Sequence, residues 1–98
     1  MKVKIAYTVE LDDIPKEVSE MMSKAVEGTE EAAEISRRVK GLLSVGTITI
    51  SEARKDLDFA RRKLEKADTV FSDCEAILEG YENALKQMEE KENEIQDG

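Results

Sequence analysis

The chain has 98 residues, of which 39% are charged and 4% aromatic, and its formal net charge is −8 with neither His nor Trp. This length predicts a single domain, residues 1–98, with a small core. The lack of His removes the usual general base near neutral pH and the commonest transition-metal ligand. The lone Cys74 excludes an intrachain disulfide and a thiolate metal cluster. We therefore expect neither a metal site nor a cofactor.

The charge is uneven along the chain. Residues 37–66 hold nine bases and four acids, whereas residues 1–36 and 67–98 are both acidic. The overall negative charge argues against nucleic acid as a partner. No run of about 18 apolar residues is present, so we expect no membrane span.

Residues 2–10 predict a β-strand. Val3, Ile5, Tyr7 and Val9 alternate with the residues between them, the period of a half-buried strand. A lone strand cannot satisfy its own backbone groups, so it needs a partner. That partner is either the same strand of a second chain or the short alternating stretch 45–50.

Residues 15–42 predict a first helix. Pro15 suits a first helical turn because it lacks the amide proton that would be unpaired there. The apolar positions then recur at three- and four-residue steps: Val18, Met21, Ala25, Gly28, Ala32, Ile35, Val39 and Leu42. The small residues in the middle of this series predict room for a bulky neighbour.

Residues 50–95 predict a longer second helix, after a loop at 43–49. Thr49 and Glu52 have the spacing of a capping box, which favours a tight turn over an extended segment here. The three- and four-residue stepping then continues for more than five heptads, typical of one long helix with a packing seam. Its positions are Leu57, Ala60, Leu64, Ala67, Phe71, Cys74, Leu78, Tyr81, Leu85, Met88, Glu92 and Ile95.

Two helices joined by a short loop should pack antiparallel. The expected fold class is mostly α, an antiparallel helical hairpin or coiled coil with one short amino-terminal strand. If the turn is centred near residue 48, Val39 faces Leu57, Ala32 faces Leu64, and Phe71 fills the space beside Gly28.

The second helix should project beyond the first, with apolar surface uncovered. Wide stripes of this kind pack against more than one neighbour, so we predict a homodimeric bundle. The expected interface residues are Val3, Ile5, Tyr7, Val9, Leu78, Tyr81, Leu85, Met88 and Ile95.

Two acidic pairs allow an enzymatic alternative. Glu31 and Glu34 form an E-x-x-E pattern, and Glu65 and Asp68 form an E-x-x-D pattern. Together they resemble the acidic motif of the all-α nucleotide pyrophosphohydrolases, which implies Mg²⁺ held by these four carboxylates. The other interpretation is a solvated, salt-bridged helix flank, and we favour it.

The basic middle of the chain allows a second alternative. Its surplus of positive charge near the hairpin tip could bind a phosphate backbone or an acidic partner; otherwise these bases form solvated pairs with nearby acids. The candidate anion-binding residues are Arg37, Arg38, Arg54, Arg61, Arg62 and Lys63.

The opening residues carry one further resemblance. Residues 4–9 and 12–18 are similar to the start of small uncharacterised proteins of tailed phages, notably phages of marine bacteria and cyanobacteria. The resemblance implies no activity and supplies no functional residues. It favours an accessory protein that binds a host or phage protein in the cytoplasm of the host cell, since residues 1–5 are too polar for a signal peptide. We therefore expect a non-enzymatic, homodimeric interaction protein.

Overall fold

The computed structural model describes residues 3–4, 8–9 and 11–97, and side chains within 11–90. Two long helices, α1 (Ile14–Val45) and α2 (Ile50–Asp97), pack against each other as an antiparallel hairpin. This confirms the helical hairpin predicted from the apolar periodicity. A 48-residue helix is about 72 Å long at 1.5 Å per residue, so α2 alone sets the 74 Å length of the molecule.

The amino-terminal segment differs from the predicted strand over 2–10. The structure describes two short strands there, β1 (Val3–Lys4) and β2 (Thr8–Val9), which pair antiparallel with each other. Pairing within the segment satisfies backbone groups that one continuous strand would leave open. The alternative partner, residues 45–50, ends α1, forms the turn and begins α2, so it offers no strand. Ile5 and Tyr7 lie outside the described residues.

The start of α1 has the residues expected at the beginning of a helix. A 3₁₀ turn over Leu11–Asp13 leads directly into the helix, and Pro15 occupies its first turn. Proline loses nothing at this position because the first amide protons of a helix have no intrahelical acceptor.

The end of α1 is fixed by Gly46. Its backbone is left-handed, with φ of 73°, a conformation that glycine adopts without a Cβ clash. The Gly46 amide donates to the Leu43 carbonyl at 3.2 Å, and the Thr47 amide donates to the Leu42 carbonyl at 3.1 Å. This pair of bonds is a Schellman motif, and it ends α1 three residues later than predicted.

The start of α2 is capped by Thr49. Its hydroxyl accepts a hydrogen bond from the Glu52 amide at 3.1 Å, and its carbonyl accepts one from the Ala53 amide at 3.0 Å. The helix begins at Ile50, as predicted, and continues without interruption through Gly80. One left-handed glycine and one threonine cap therefore define the turn between the helices.

The two helices meet along small residues rather than along the predicted mixture of large and small ones. The alanine seam consists of Ala25 and Ala32 of α1 and Ala53, Ala60 and Ala67 of α2. All five are buried, and Val39 and Val18 extend the line on α1. Small side chains allow helix backbones to approach closely: a Cβ added to Gly28 would lie 3.8 Å from the Lys63 carbonyl oxygen.

The expected partners Leu57, Leu64 and Phe71 are consequently displaced from the seam. Leu57 and Leu64 are 42% and 48% exposed, and Phe71 is half-buried. The lining of the groove beside Gly28 contains Val70 instead of Phe71. The antiparallel register was predicted within about two residues, but α2 is rotated about its axis relative to the prediction.

A cluster of larger side chains than those of the alanine seam closes the open end of the hairpin. Leu11, Ile14, Val18 and Cys74 form one buried cluster. Met22, Val70, Tyr81 and Ala84 pack around it. This cluster anchors the start of α1 against the middle of α2 and leaves the last four to five turns of α2 beyond the end of α1.

Candidate functional site

A line of large, partly exposed apolar side chains runs along α2. We call it the leucine row: Leu57, Leu64, Phe71, Leu78 and Leu85. The four leucines are 40–48% exposed. Residues seven apart lie on one helix face, and the row extends for about 42 Å at 1.5 Å per residue.

The row lies on one flank of the hairpin because each member follows a seam position by four residues. Leu57 follows Ala53 in this way, and Leu64 follows Ala60. On α1, Leu43 follows Val39 by the same interval and is 42% exposed, while Val26 follows Ala25 directly. These α1 side chains border the same flank, so the exposed apolar surface is shared by both helices.

The opposite flank carries ion pairs between the helices, together with the partly exposed apolar side chains of Met21, Phe59 and Ile77. Lys63 Nζ lies 3.3 Å from a Glu31 carboxylate oxygen, and an Arg38 guanidinium nitrogen lies 2.9 Å from Asp56 Oδ2. A shallow groove of about 350 Å³ runs beside Gly28, with Lys side chains from both helices and Glu side chains from α1 in its lining. The two flanks of the hairpin therefore differ in chemistry: one is cross-linked by ion pairs and the other presents leucines.

Charge changes sign along the leucine row. Arg54 and Arg61 precede Leu57 and Leu64 by three residues. The side chains of Arg54, Leu57 and Arg61 line one open depression of about 540 Å³. The equivalent positions further along the helix are acidic. In chain order the heptad series reads Arg54, Arg61, Asp68, Glu75, Glu82 and Glu89.

The predicted interface residues fall into three groups. Leu78, Leu85 and Met88 are 40–47% exposed and available for contact. Tyr81 is half-buried and packs inside the chain on the cluster around Cys74. The remaining positions, the side chains of Val3, Ile5, Tyr7, Val9 and Ile95, lie outside the described residues.

The sequence reasoning missed Leu57 and Leu64 as surface residues. It assigned every position of the three- and four-residue series to one seam. The alanine at every seventh position of α2 was the signal, because a line of small residues marks the side of closest approach and displaces the large residues to its edge.

The four acidic residues of the enzymatic alternative are all exposed. Glu31 lies on the ion-paired flank and is engaged by Lys63. Glu65 occupies an outward position of α2, and Asp68 belongs to the charged series that borders the leucine row. Within the described residues, no group of three or more potential metal ligands comes together.

The six candidate basic residues of the hairpin tip differ in whether they form ion pairs. Arg38 pairs with Asp56, Arg62 with Asp58 at 2.9 Å, and Lys63 with Glu31. Lys63 Nζ also lies 5.3 Å from the centre of the Phe59 ring, a cation–π distance. Among the described side chains, Arg37, Arg54 and Arg61 have no carboxylate within ion-pair distance. Two of these three border the leucine row.

Comparison with known proteins does not add a family. No protein-family model matches the chain, and neither the curated proteins nor the solved structures contain a significant match. In the described part of the chain, no helix is long and apolar enough to cross a membrane.

Proposed function

We propose that this chain is a non-enzymatic protein–protein interaction module that acts as a homodimer. The observation that supports this proposal is the leucine row, in which four leucines seven residues apart stay 40–48% exposed in the single chain. Apolar surface removed from water stabilises an assembly by roughly 25 cal/mol per Å². Contiguous apolar patches beyond a few hundred Å² typically mark interaction sites.

The hairpin suits a binding role because its surface is rigidly presented. The row lies on one uninterrupted helix, and the seam and the capped turn hold that helix against α1. Side chains on a helix held in this way keep fixed spacing, which lowers the ordering cost of binding. The resemblance of residues 4–9 and 12–18 to small uncharacterised proteins of tailed phages favours the same proposal, an accessory protein that acts by association.

Light scattering coupled to size-exclusion chromatography tests the proposal. The expected mass is twice the 11.0 kDa of the chain, and it should persist into the low micromolar range. A variant with Leu64→Ser and Leu78→Ser should elute as a monomer with unchanged helical circular dichroism. The matched control, Val45→Ser with Ile50→Ser, changes two exposed apolar residues at the hairpin tip and should stay dimeric.

A monomeric wild-type chain at low micromolar concentration would contradict the homodimer. The non-enzymatic part has its own test, a screen for nucleotide hydrolysis with Mg²⁺. We expect no turnover; hydrolysis that disappears in a Glu34→Gln variant would overturn this part and support the pyrophosphohydrolase alternative.

A further inference from the structure

We propose that two copies of this chain pack their leucine rows against each other antiparallel, with the two-fold axis at Phe71. This inference deepens the proposed homodimer and rests on it. It specifies which face of the hairpin meets the second copy, in which direction and in which register. The occupant of the apolar flank is therefore the same flank of a second copy.

The spacing of the row makes it self-complementary. Leu64 and Leu78 lie seven residues on either side of Phe71, and Leu57 and Leu85 lie fourteen residues on either side. In an antiparallel pair centred on Phe71, each Leu64 meets Leu78 of the second copy. Each Leu57 likewise meets Leu85. A parallel pair would also align leucine with leucine, so the spacing alone leaves the direction open.

The charges bordering the row determine the direction. In the antiparallel register Arg61 lies beside Glu82 of the second copy, and Arg54 lies beside Glu89. The two-fold axis repeats both pairs, which gives four attractive contacts. Asp68 and Glu75 meet near the axis and repel, but these two contacts are outnumbered.

A parallel pair lacks these attractive contacts. When the two-fold axis runs parallel to the helices, equivalent bordering positions of the two copies lie on opposite sides of the interface, so the arginines of one copy do not meet the acids of the same series in the other. The attraction of Arg61 to Glu82 and of Arg54 to Glu89 is therefore specific to the antiparallel pair. The sequence of signs along α2 therefore favours the antiparallel arrangement.

The position of α1 also supports a two-fold axis at Phe71. The ion pairs Glu31–Lys63 and Arg38–Asp56 mark which residues of α1 and α2 lie level with each other. In that register Val26, which is 38% exposed, lies level with residue 68 and within one turn of Phe71. Val26 would therefore add apolar surface next to the two-fold axis, where the two bordering acids are least favourable.

The charge pattern also explains why a second copy fits better than an unrelated helix. The basic half of the row needs a partner helix with leucines at seven-residue spacing and acids three residues before them. The second half of α2 is such a helix: Glu82 precedes Leu85 by three residues, and Glu89 continues the acidic series seven residues later.

Disulfide cross-linking in a Cys74→Ala background tests direction and register. Alanine already occupies the other seam positions of α2, so this background should keep the fold. We expect Leu57→Cys and Leu85→Cys proteins to cross-link when mixed, and neither to cross-link alone, because like positions would be about 42 Å apart along the axis. Cross-linking of each variant with itself would overturn the antiparallel direction.

Charge exchange provides a second test without altering the row. Arg61→Glu and Glu82→Arg should each weaken the dimer about tenfold, since either change makes two symmetric pairs repulsive. The double variant should restore the wild-type dissociation constant. Lys66→Glu, which makes the same charge change on the ion-paired flank, should leave dimerisation unchanged.

The outcomes separate this inference from the proposed function. A dimeric mass without a mixed Leu57→Cys and Leu85→Cys cross-link, or without recovery in the double charge variant, would overturn the antiparallel packing and retain the homodimer. A monomeric wild-type mass would overturn both.

Discussion

The alanine seam and the leucine row occupy the same helix at the same seven-residue period, yet only one of them is buried. Ala53, Ala60 and Ala67 are 3–4% exposed, while Leu57 and Leu64, which follow the first two by four residues, are 42% and 48% exposed. Leucine is the more hydrophobic residue, so hydrophobicity does not decide which line faces α1. Backbone approach decides it, because small side chains allow closer and more continuous contact.

This comparison assigns different roles to the two lines. The seam closes the hairpin, and larger side chains would not fit between the helices there. The row stays outside that contact, and its side chains remain free for a second molecule. Burial in this chain should therefore follow backbone approach rather than side-chain hydrophobicity.

Enlarging a seam residue should be the most damaging change. Ala60→Leu places a branched side chain between closely packed helices and should lower the free energy of unfolding by about 2–3 kcal/mol. Urea denaturation measures the loss. The control is Ala76→Leu, an exposed position of the same helix, which should change stability by less than about 0.5 kcal/mol. Equal effects of the two substitutions would contradict close packing at the seam.

The alanine spacing was available in the sequence, but its meaning depends on competition between two apolar series. Three- and four-residue stepping from Leu57 correctly predicts a long helix and an antiparallel hairpin. It does not distinguish a seam of alternating large and small residues from a seam of alanines with leucines at its edge, because the two differ by a modest rotation of the helix. That rotation is set by volumes on α1, where Ala25, Gly28 and Ala32 favour close approach.

The amino-terminal segment shows a different limit of prediction from sequence. Alternation in residues 2–10 predicts extended backbone, and the described parts are extended, but the pattern does not specify the partner of that backbone. A single strand and two short paired strands have the same alternation. The start of α2 was easier to predict, because Thr49 caps it locally through its own hydrogen bond. The end of α1, which Gly46 caps, lies three residues beyond the predicted end.

Truncating a buried valine should cost more than truncating an exposed leucine. Val39 is 1% exposed, and Val39→Ala should cost about 2 kcal/mol through lost burial and the cavity left behind. Leu64→Ala removes more atoms but should cost about 1 kcal/mol or less, because roughly half of the side chain is already in water. Both are measured by chemical denaturation at a concentration where the chain is monomeric. A larger loss for Leu64→Ala would place the row inside the hairpin contact.

Gly46, in the turn between the helices, and Gly41, inside α1, form a matched pair for substitution by alanine. A Cβ added at Gly46 or at Gly41 would have no atom within 4 Å, so packing does not distinguish them. Gly46→Ala should nevertheless cost about 1 kcal/mol because its positive φ disfavours a side chain. Gly41→Ala, inside α1, should stabilise the chain by about 0.5–1 kcal/mol through helix propensity. Thermal unfolding should therefore shift in opposite directions, and shifts of the same sign would contradict the left-handed cap.

The smallest effect should come from the ion pairs on the flank opposite the row. Arg38 and Asp56 bridge the two helices, but their side chains are 59% and 34% exposed, so water and salt screen the attraction. A double-mutant cycle with Arg38→Ala and Asp56→Ala should give a coupling of about 0.5 kcal/mol or less, which declines in high salt. Arg37→Ala, the neighbouring exposed arginine without an ion pair among the described side chains, serves as the control and should show no coupling to Asp56. A coupling as large as the loss at Val39 would mean that charge, rather than close approach of the alanines, holds the helices in register.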